Sequence, residues 1–184
     1  SASRRSLSDR FFIVRLCRWS SIEPTCKLSR KARGLRLNRD EIRKLYDDAY
    51  ADSYESKFIT GPLAHVDAAF EVELIGRLLA PGDRWLDAAC GTGYFLSKFP
   101  QYARHGADLS PAMLRRARQA NPGVEFTEWD LRDPNPEWND RWNLVSCMWY
   151  AYGLVDSIRE VVRVLDHLAD WTHPEGKLLL PYSN

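Results

Sequence analysis

An α/β fold, with a mostly parallel sheet and helices on both of its faces, is predicted by three observations. From residue 84 onward, short apolar runs of strand length alternate with segments of helical spacing. Those runs read as strands buried on both faces, which is the condition of a parallel sheet sandwiched between helices. One of them, "RWLDAA" (84–89), ends in an acid and hands over to a turn almost free of side-chain bulk, "CGTG" (90–93).

The elements follow in order. The segment "NRDEIRKLYDDAYADSYESKF" places Ile42, Leu45, Tyr46, Ala49, Tyr50 and Tyr54 three and four residues apart. Asn38 is its predicted N-cap, with Asp40 and Glu41 in the first turn. After the "TGP" break at 60–62, "HVDAAFEVELIGRLLA" reads as a second amphipathic helix, stopped by Pro81-Gly82. Then come strand 84–89, the helix "YFLSKF", strand 103–109, and a helix at 111–120 with Ser110 as cap and Pro111 in its first turn. Strands at 124–129 and 142–150, a helix at 155–171 and a fifth strand at 176–182 complete the alternation. No internal repeat is present.

Composition narrows the classes. With 45% hydrophobic and 28% charged residues, the 184-residue chain can bury the core of one domain. No apolar run reaches the roughly 20 residues of a membrane-crossing helix, and "FFIVRLC" (11–17) is broken by Arg15. Cys17, Cys26, Cys90 and Cys147 lack paired spacing, which suits reduced thiols, a reducing (cytoplasmic) compartment and no metal site. Charge is uneven: residues 1–39 hold 11 Lys/Arg against 2 acids, and the remainder 15 against 23. A basic, acid-poor start fits a solvated tail, an organelle transit segment or a nucleic-acid arm. Residues 1–38 are read as a disordered extension and 39–184 as the folded domain. The acidic body is ill suited to phosphate backbones, so nucleic acid is a disfavoured partner.

In a sheet of this kind ligands lie beyond the carboxyl ends of the strands, where the strand order reverses. Three successive strands end in acids there: Asp87, Asp108 and Asp130. The bare turn after Asp87 lets ligand atoms approach the backbone at a helix start. A dinucleotide fingerprint beginning at Gly91 would need Gly or Ala at Leu96, and a phosphate-cradling loop would need Lys after Gly93, where Tyr94 stands. An acid at Asp87 would repel pyrophosphate and attract an amino group. Asp108, 21 positions beyond Asp87, can accept both hydroxyls of a ribose. Asp130 can accept from an exocyclic amine, with Leu131 as an apolar wall. Together these describe a nucleoside.

The stretches "WLDAACGTGYF", "GADLSPAMLRRAR" and "EFTEWDLRDP" resemble the first three motifs of class I S-adenosylmethionine-dependent methyltransferases, the small-molecule type, over roughly residues 40–182. The family's glycine motif reads acid-x-G-x-G-x-G; here Ala89 replaces its first glycine. The resemblance implies a Rossmann-like sheet, S-adenosyl-L-methionine as cofactor and methyl transfer to a small organic acceptor. An inactive cofactor-binding or interaction domain and an RNA methyltransferase are the alternatives. It also implies roles: Asp87 with Ala89, Gly91 and Gly93 at the amino-acid end of the cofactor, Asp108 on the ribose, Leu109 and Met113 flanking the adenine, and Asp130 with Leu131 at its amine edge. Tyr46 and Tyr54, in "LYDDAYADSY", are candidates to cover the methionine part, although tyrosines at this spacing serve equally as packing.

The catalytic residues are left unassigned. His65 is a candidate general base or a plain helix-start residue. Met148, Trp149, Tyr150 and Tyr152 either line an acceptor pocket or pack beneath the last helix. The Asn/Asp-Pro-Pro-aromatic tetrad of the family's amide- and base-modifying members is replaced here by Met148-Trp149-Tyr150-Ala151. The family sheet has seven strands, and only Ser183 and Asn184 follow the fifth. The expectation is therefore a domain lacking the last two strands, C-terminally truncated, whose exposed fifth-strand edge invites self-association.

Overall fold

The computed structural model of the chain describes residues 11–15, 37–61 and 64–182. Six parallel strands form one sheet: β1 (Phe11–Arg15), β2 (Arg84–Ala88), β3 (Ala103–Asp108), β4 (Glu125–Glu128), β5 (Trp142–Ser146) and β6 (Thr172–Tyr182). Their order is β1-β6-β5-β2-β3-β4. The chain leaves β2 toward β3 and β4 in one direction and returns to build β5 and β6 in the other, so the strand order reverses at β2. This is the Rossmann-like α/β architecture expected.

The helices are α1 (Arg39–Leu45), α2 (Asp48–Phe58), α3 (Ala64–Leu78), α4 (Tyr94–Ser97), α5 (Pro111–Ala120) and α6 (Ile158–Trp171). Alternate strand residues feed two cores, as the two-residue period of a strand requires. Trp85, Leu144 and Leu179 point to the face covered by α3, α4 and α5, where they meet Ile75, Phe95 and Leu114. Leu86, Val145 and Leu178 point to the opposite face, against Val164, Leu168 and Trp171 of α6. Each such fully buried large side chain is worth about 1.5–3 kcal/mol.

Three expectations are corrected. The start of the chain was read as unstructured through residue 38, but Phe11–Arg15 pairs in register with Leu178–Tyr182. That pairing also removes the exposed edge expected at the fifth strand: the backbone groups of β6 on that side have a partner in β1. Most of the remaining basic segment, with Cys17 and Cys26, lies outside the described residues. The single helix expected over 38–58 is two. Asn38 caps α1 in a capping box with Glu41, but Tyr46 leaves helical geometry and the Asp47 side chain accepts the Tyr50 N–H, starting α2.

Strand and helix ends also moved. β5 stops at Ser146, four residues early, and α6 begins at Ile158 behind the Ser157 cap. β6 begins at Thr172 through an irregularity in which Trp142 pairs with Thr172 but Leu144 with Lys177. Gly176 sits inside it, where a Cβ would stand 2.8 Å from the carbonyl oxygens of Trp142 and Asn143.

Candidate functional site

A cleft partly open to solvent lies beyond the carboxyl ends of β2, β3, β4 and β5. Asp87, Asp108 and Asp130 all line it, so the carboxylates ending three neighbouring strands meet at one hollow. Ala89, Cys90, Gly91 and Thr92 form its floor; Leu109, Met113, Trp129 and Leu131 wall one end, and Ile42 and Tyr46 of the α1 segment cover that end. Tyr54, Phe95, Met148 and Trp149 line it toward α3 and the end of β5.

Asp87 is buried to 1% exposure and accepts a 2.6 Å bond from Ser146 Oγ, which in turn accepts from Trp85 Nε1 at 2.9 Å. Burial pushes its carboxyl up to about 7; the Ser146 bond works against the shift, and the nearby Asp108 adds to it. A cation placed here would be strongly favoured, since it would restore the charge that burial suppresses.

Asp108 is held differently. Its Oδ2 accepts the Gly91 N–H and its Oδ1 the Ser110 N–H, both at 2.8 Å. Burial raises its pKa, against the lowering effect of the backbone N–H groups of Ser110, Gly91 and Leu109. The carboxylate thus cross-braces the ends of β2 and β3 and fixes the turn.

The turn itself is built on left-handed backbone. Gly91 and Gly93 have φ of +55° and +73°, and Ala89 has φ +64°. The last is costly for an L side chain, roughly 1 kcal/mol. Gly93 is not among the residues lining the cleft and packs against α5 and Asn121, where a Cβ would stand 2.7 Å from Asn121 Nδ2. Its carbonyl accepts from the Asn121 side chain.

Asp130 reaches the cleft already engaged. Oδ1 accepts from the Arg132 backbone N–H and Nε, each at 2.9 Å, and Oδ2 from Arg132 Nη2 at 2.7 Å and from Arg39 Nε at 2.8 Å. Burial would raise its pKa, but the Arg132 bonds and the Arg39 charge outweigh this and hold it low. An adenine amine would have to share this carboxylate with two guanidinium groups. The arginine partnership is not foreseen from the sequence, although Arg132 stands only two residues away.

Of the remaining candidates, Tyr46 and Tyr54 both line the cleft. The Tyr54 ring lies over the turn, its Cε1 3.9 Å from where a Gly91 Cβ would be. Met148 and Trp149 face the cleft; Tyr150 and Tyr152 do not line it, and Tyr152 Oη donates to the Pro181 carbonyl at 2.8 Å. His65 is exposed at the start of α3, its Nδ1 3.2 Å from the Gly61 carbonyl, outside the cleft: the helix-start reading. Glu71 of α3 was missed altogether. It is a buried carboxylate that accepts from Trp149 Nε1.

The hollow fits a cofactor with an amino-acid end and an adenosine end on two grounds within the structure. The floor lacks bulk at Gly91, and Thr92 Oγ1 is buried in the lining with no hydrogen-bond partner among the described residues. An orphaned hydroxyl at the base of a cleft is satisfied when a polar ligand occupies it.

Comparison with known proteins agrees with this geometry. Residues 86–176 match the family described as a methyltransferase domain. Trans-aconitate 2-methyltransferase of Acidovorax sp. (strain JS42) is 41% identical over 70 residues, 35% of this chain and 27% of that one. The dTDP-3-amino-3,6-dideoxy-alpha-D-glucopyranose N,N-dimethyltransferase of Streptomyces fradiae is 29% identical over 142 residues, 76% of this chain and 52% of the other. Among solved structures, the S-adenosylmethionine-bound amino pentose methyltransferase CalS10 of Micromonospora echinaspora superposes with a TM-score of 0.59 at 28% identity, covering 73% of this chain and 56% of that one. DesVI of Streptomyces venezuelae gives 0.60 at 25% identity, covering 72% and 57%. The chain thus spans between about a quarter and a half of the length of these curated relatives. Residues 86–176 thus match a methyltransferase domain, and the chain has the fold of these methyltransferase structures.

Proposed function

From a methyltransferase domain with this cleft, we propose that the protein binds S-adenosyl-L-methionine and transfers its methyl group to a small organic acceptor. The observation that carries the reading is the convergence of Asp87, Asp108 and the bulk-free Ala89–Thr92 floor on one hollow. Asp87 attracts the ammonium of the amino-acid end, and Asp108 takes the ribose hydroxyls. Leu109 and Met113 flank the adenine, with Leu131 opposite. Asp130 keeps Arg39 and Arg132 beside the amine edge and fixes α1 over that end. When bound, the cofactor supplies a methyl group on a positively charged sulfur, so the chain's own task is alignment and exclusion of water.

Tyr54 and Trp149 close the side of the cleft where the acceptor enters; a carboxylate acceptor takes the methyl group without a base, whereas an alcohol or a protonated amine must first give up a proton. The relatives' printed acceptors, trans-aconitate and amino sugars, are small molecules, which supports the acceptor class. The domain is assigned to residues 39–184, with β1 as an added edge strand, and to the cytoplasm. Among the described residues, no helix is long and apolar enough to cross a membrane.

Isothermal titration with S-adenosylmethionine tests the binding step: micromolar heat is expected, and its absence would remove the reading. Transfer of labelled methyl across a panel of small amines, alcohols and carboxylates then separates an enzyme from an inactive binder.

A further inference from the structure

The inward stripe of α3 runs Ala68, Glu71, Ile75, Leu78, all buried. Three of these positions are what a helix packed on a sheet requires; Glu71 is a carboxylate at 2% exposure in the same row. Nothing in the packing needs a charge there. Its two oxygens, Oε1 and Oε2, both accept the indole N–H of Trp149, at 3.0 and 2.9 Å.

Trp149 stands just past β5 in left-handed backbone, φ +51°, followed by Tyr150 at +63°. Two consecutive non-glycine residues of this kind persist only where surrounding contacts over-determine them. The Glu71 bond is one such contact, and ring packing supplies the others: the indole centroid lies 5.7 Å from Tyr54 and 5.6 Å from Phe95. Tyr54, Phe95 and Trp149 all line the cleft. The neighbouring Tyr94 ring is already covered by Lys98, whose Nζ lies 4.4 Å from its centroid.

The Tyr54 ring lies over Gly91, whose N–H is given to Asp108, and Asp87 lines the same hollow. On the proposed function, on which this inference rests, that is where the sulfur of the cofactor comes to lie. A positive sulfur is favoured against aromatic faces, and an indole whose N–H is given to an anion presents a more electron-rich face than a free one.

We propose that Glu71, through Trp149, makes the sulfur end of the cleft selective for charge, favouring the cationic sulfonium of S-adenosylmethionine over the neutral thioether of S-adenosylhomocysteine. Glu71 is a positioning residue: it touches neither the cofactor nor the acceptor, and acts by orienting and polarising the indole. The consequence is release of the product form of the cofactor without any movement of the adenosine contacts, which the two ligands share.

The test is titration calorimetry of the whole chain with each of the two ligands at pH 8.5, for the wild type, Glu71→Gln and Trp149→Phe. The pH is chosen because burial raises the Glu71 carboxyl to about 7, and it is ionised above that. Glu71→Gln keeps an oxygen acceptor for the indole N–H and removes the charge. It is expected to weaken S-adenosylmethionine roughly three- to tenfold while the Kd for S-adenosylhomocysteine stays within about twofold. Trp149→Phe keeps an aromatic wall and loses the bond, and should shift the ratio in the same direction, so the inference stays falsifiable if one variant fails to fold. Equal changes in both Kd values, or an unchanged ratio in both variants, would overturn the inference alone. A wild type that binds neither ligand would overturn the proposed function and this inference with it.

Discussion

The floor of the cleft and its helical cover are secured by different physics. On the floor, Asp87 and Asp108 are tied to Ser146 Oγ and to backbone N–H groups at buried or half-buried positions, within 2.6–2.8 Å. The cover, α1 and α2, is fastened by one arginine on a buried carboxylate, Arg39 to Asp130, and by pairs in solvent: Arg39 to Asp133, Arg43 to Glu128, Arg115 to Asp48, and Arg116 to Asp52. Its apolar contact is a tyrosine cluster, Tyr46, Tyr50 and Tyr54, over Ala51, Ala112 and Met113. Exposed pairs contribute about 0–1 kcal/mol each and weaken with salt. Buried carboxylates shift their pKa and lower the stability of the empty site. The difference teaches that the floor is preformed at the expense of stability, while the cover is held mainly by contacts that salt weakens.

The sharpest way to break this contrast is Asp108→Ala. It removes the ribose acceptor and leaves the Gly91 and Ser110 N–H groups without their partner. Calorimetry should show cofactor binding weakened by more than about 100-fold, and urea unfolding a loss of about 1–3 kcal/mol. Retained affinity would detach the floor from the site.

Asp87→Asn separates function from stability. The Asp87 carboxyl sits at about 7 in the folded chain against 3.8 ordinarily, so the folded state holds its proton more firmly than the unfolded one. Its effect is therefore a stability loss that grows as pH rises from about 4 to 7 and is complete above that. Without ligand, the variant should be more stable than the wild type at pH 8, by on the order of 1–2 kcal/mol after allowance for relaxation, with the gain shrinking toward pH 5. Cofactor affinity should fall more than tenfold. Chemical denaturation at the two pH values gives the first result and titration the second.

Smaller effects sharpen the account. Ala89→Gly relieves a positive φ and should raise stability by up to about 1 kcal/mol with cofactor binding kept, measured as a shift in the urea midpoint. Raising NaCl from 50 to 500 mM should speed amide exchange over 39–58 severalfold and leave 86–93 unchanged in hydrogen-exchange mass spectrometry. His65→Ala, outside the cleft, should alter stability by less than about 0.5 kcal/mol and leave binding untouched.

What the sequence disclosed tracks the range of the interactions involved. The strand ends at Asp87 and Asp108 were legible because a run of apolar residues closed by an acid and a bare turn is a local pattern. Tyr46, Tyr54, Leu109, Met113 and Leu131, which the family resemblance implies, line the same cleft. The break at Asp47 was hidden because the tyrosine spacing continues across it, and a single side-chain cap decides it. β1 was hidden because its pairing with β6 joins residues more than 160 apart, which no local pattern reports. Glu71 was passed over as one acid among others on a helix; only burial against Trp149 sets it apart. The partners of Asp130 came from both directions, Arg132 two residues on and Arg39 across the chain.

The most direct test of the central claim, that Asp87 and Asp108 flank one adenosine-shaped hollow, is a crystal structure of the protein grown with S-adenosylhomocysteine. The account predicts ribose hydroxyls on Asp108, the ligand ammonium on the Asp87 side of the Ala89–Thr92 floor, and the base between Met113 and Leu131. Ligand density elsewhere, or a ribose that leaves Asp108 bonded only to Gly91 and Ser110, would contradict it.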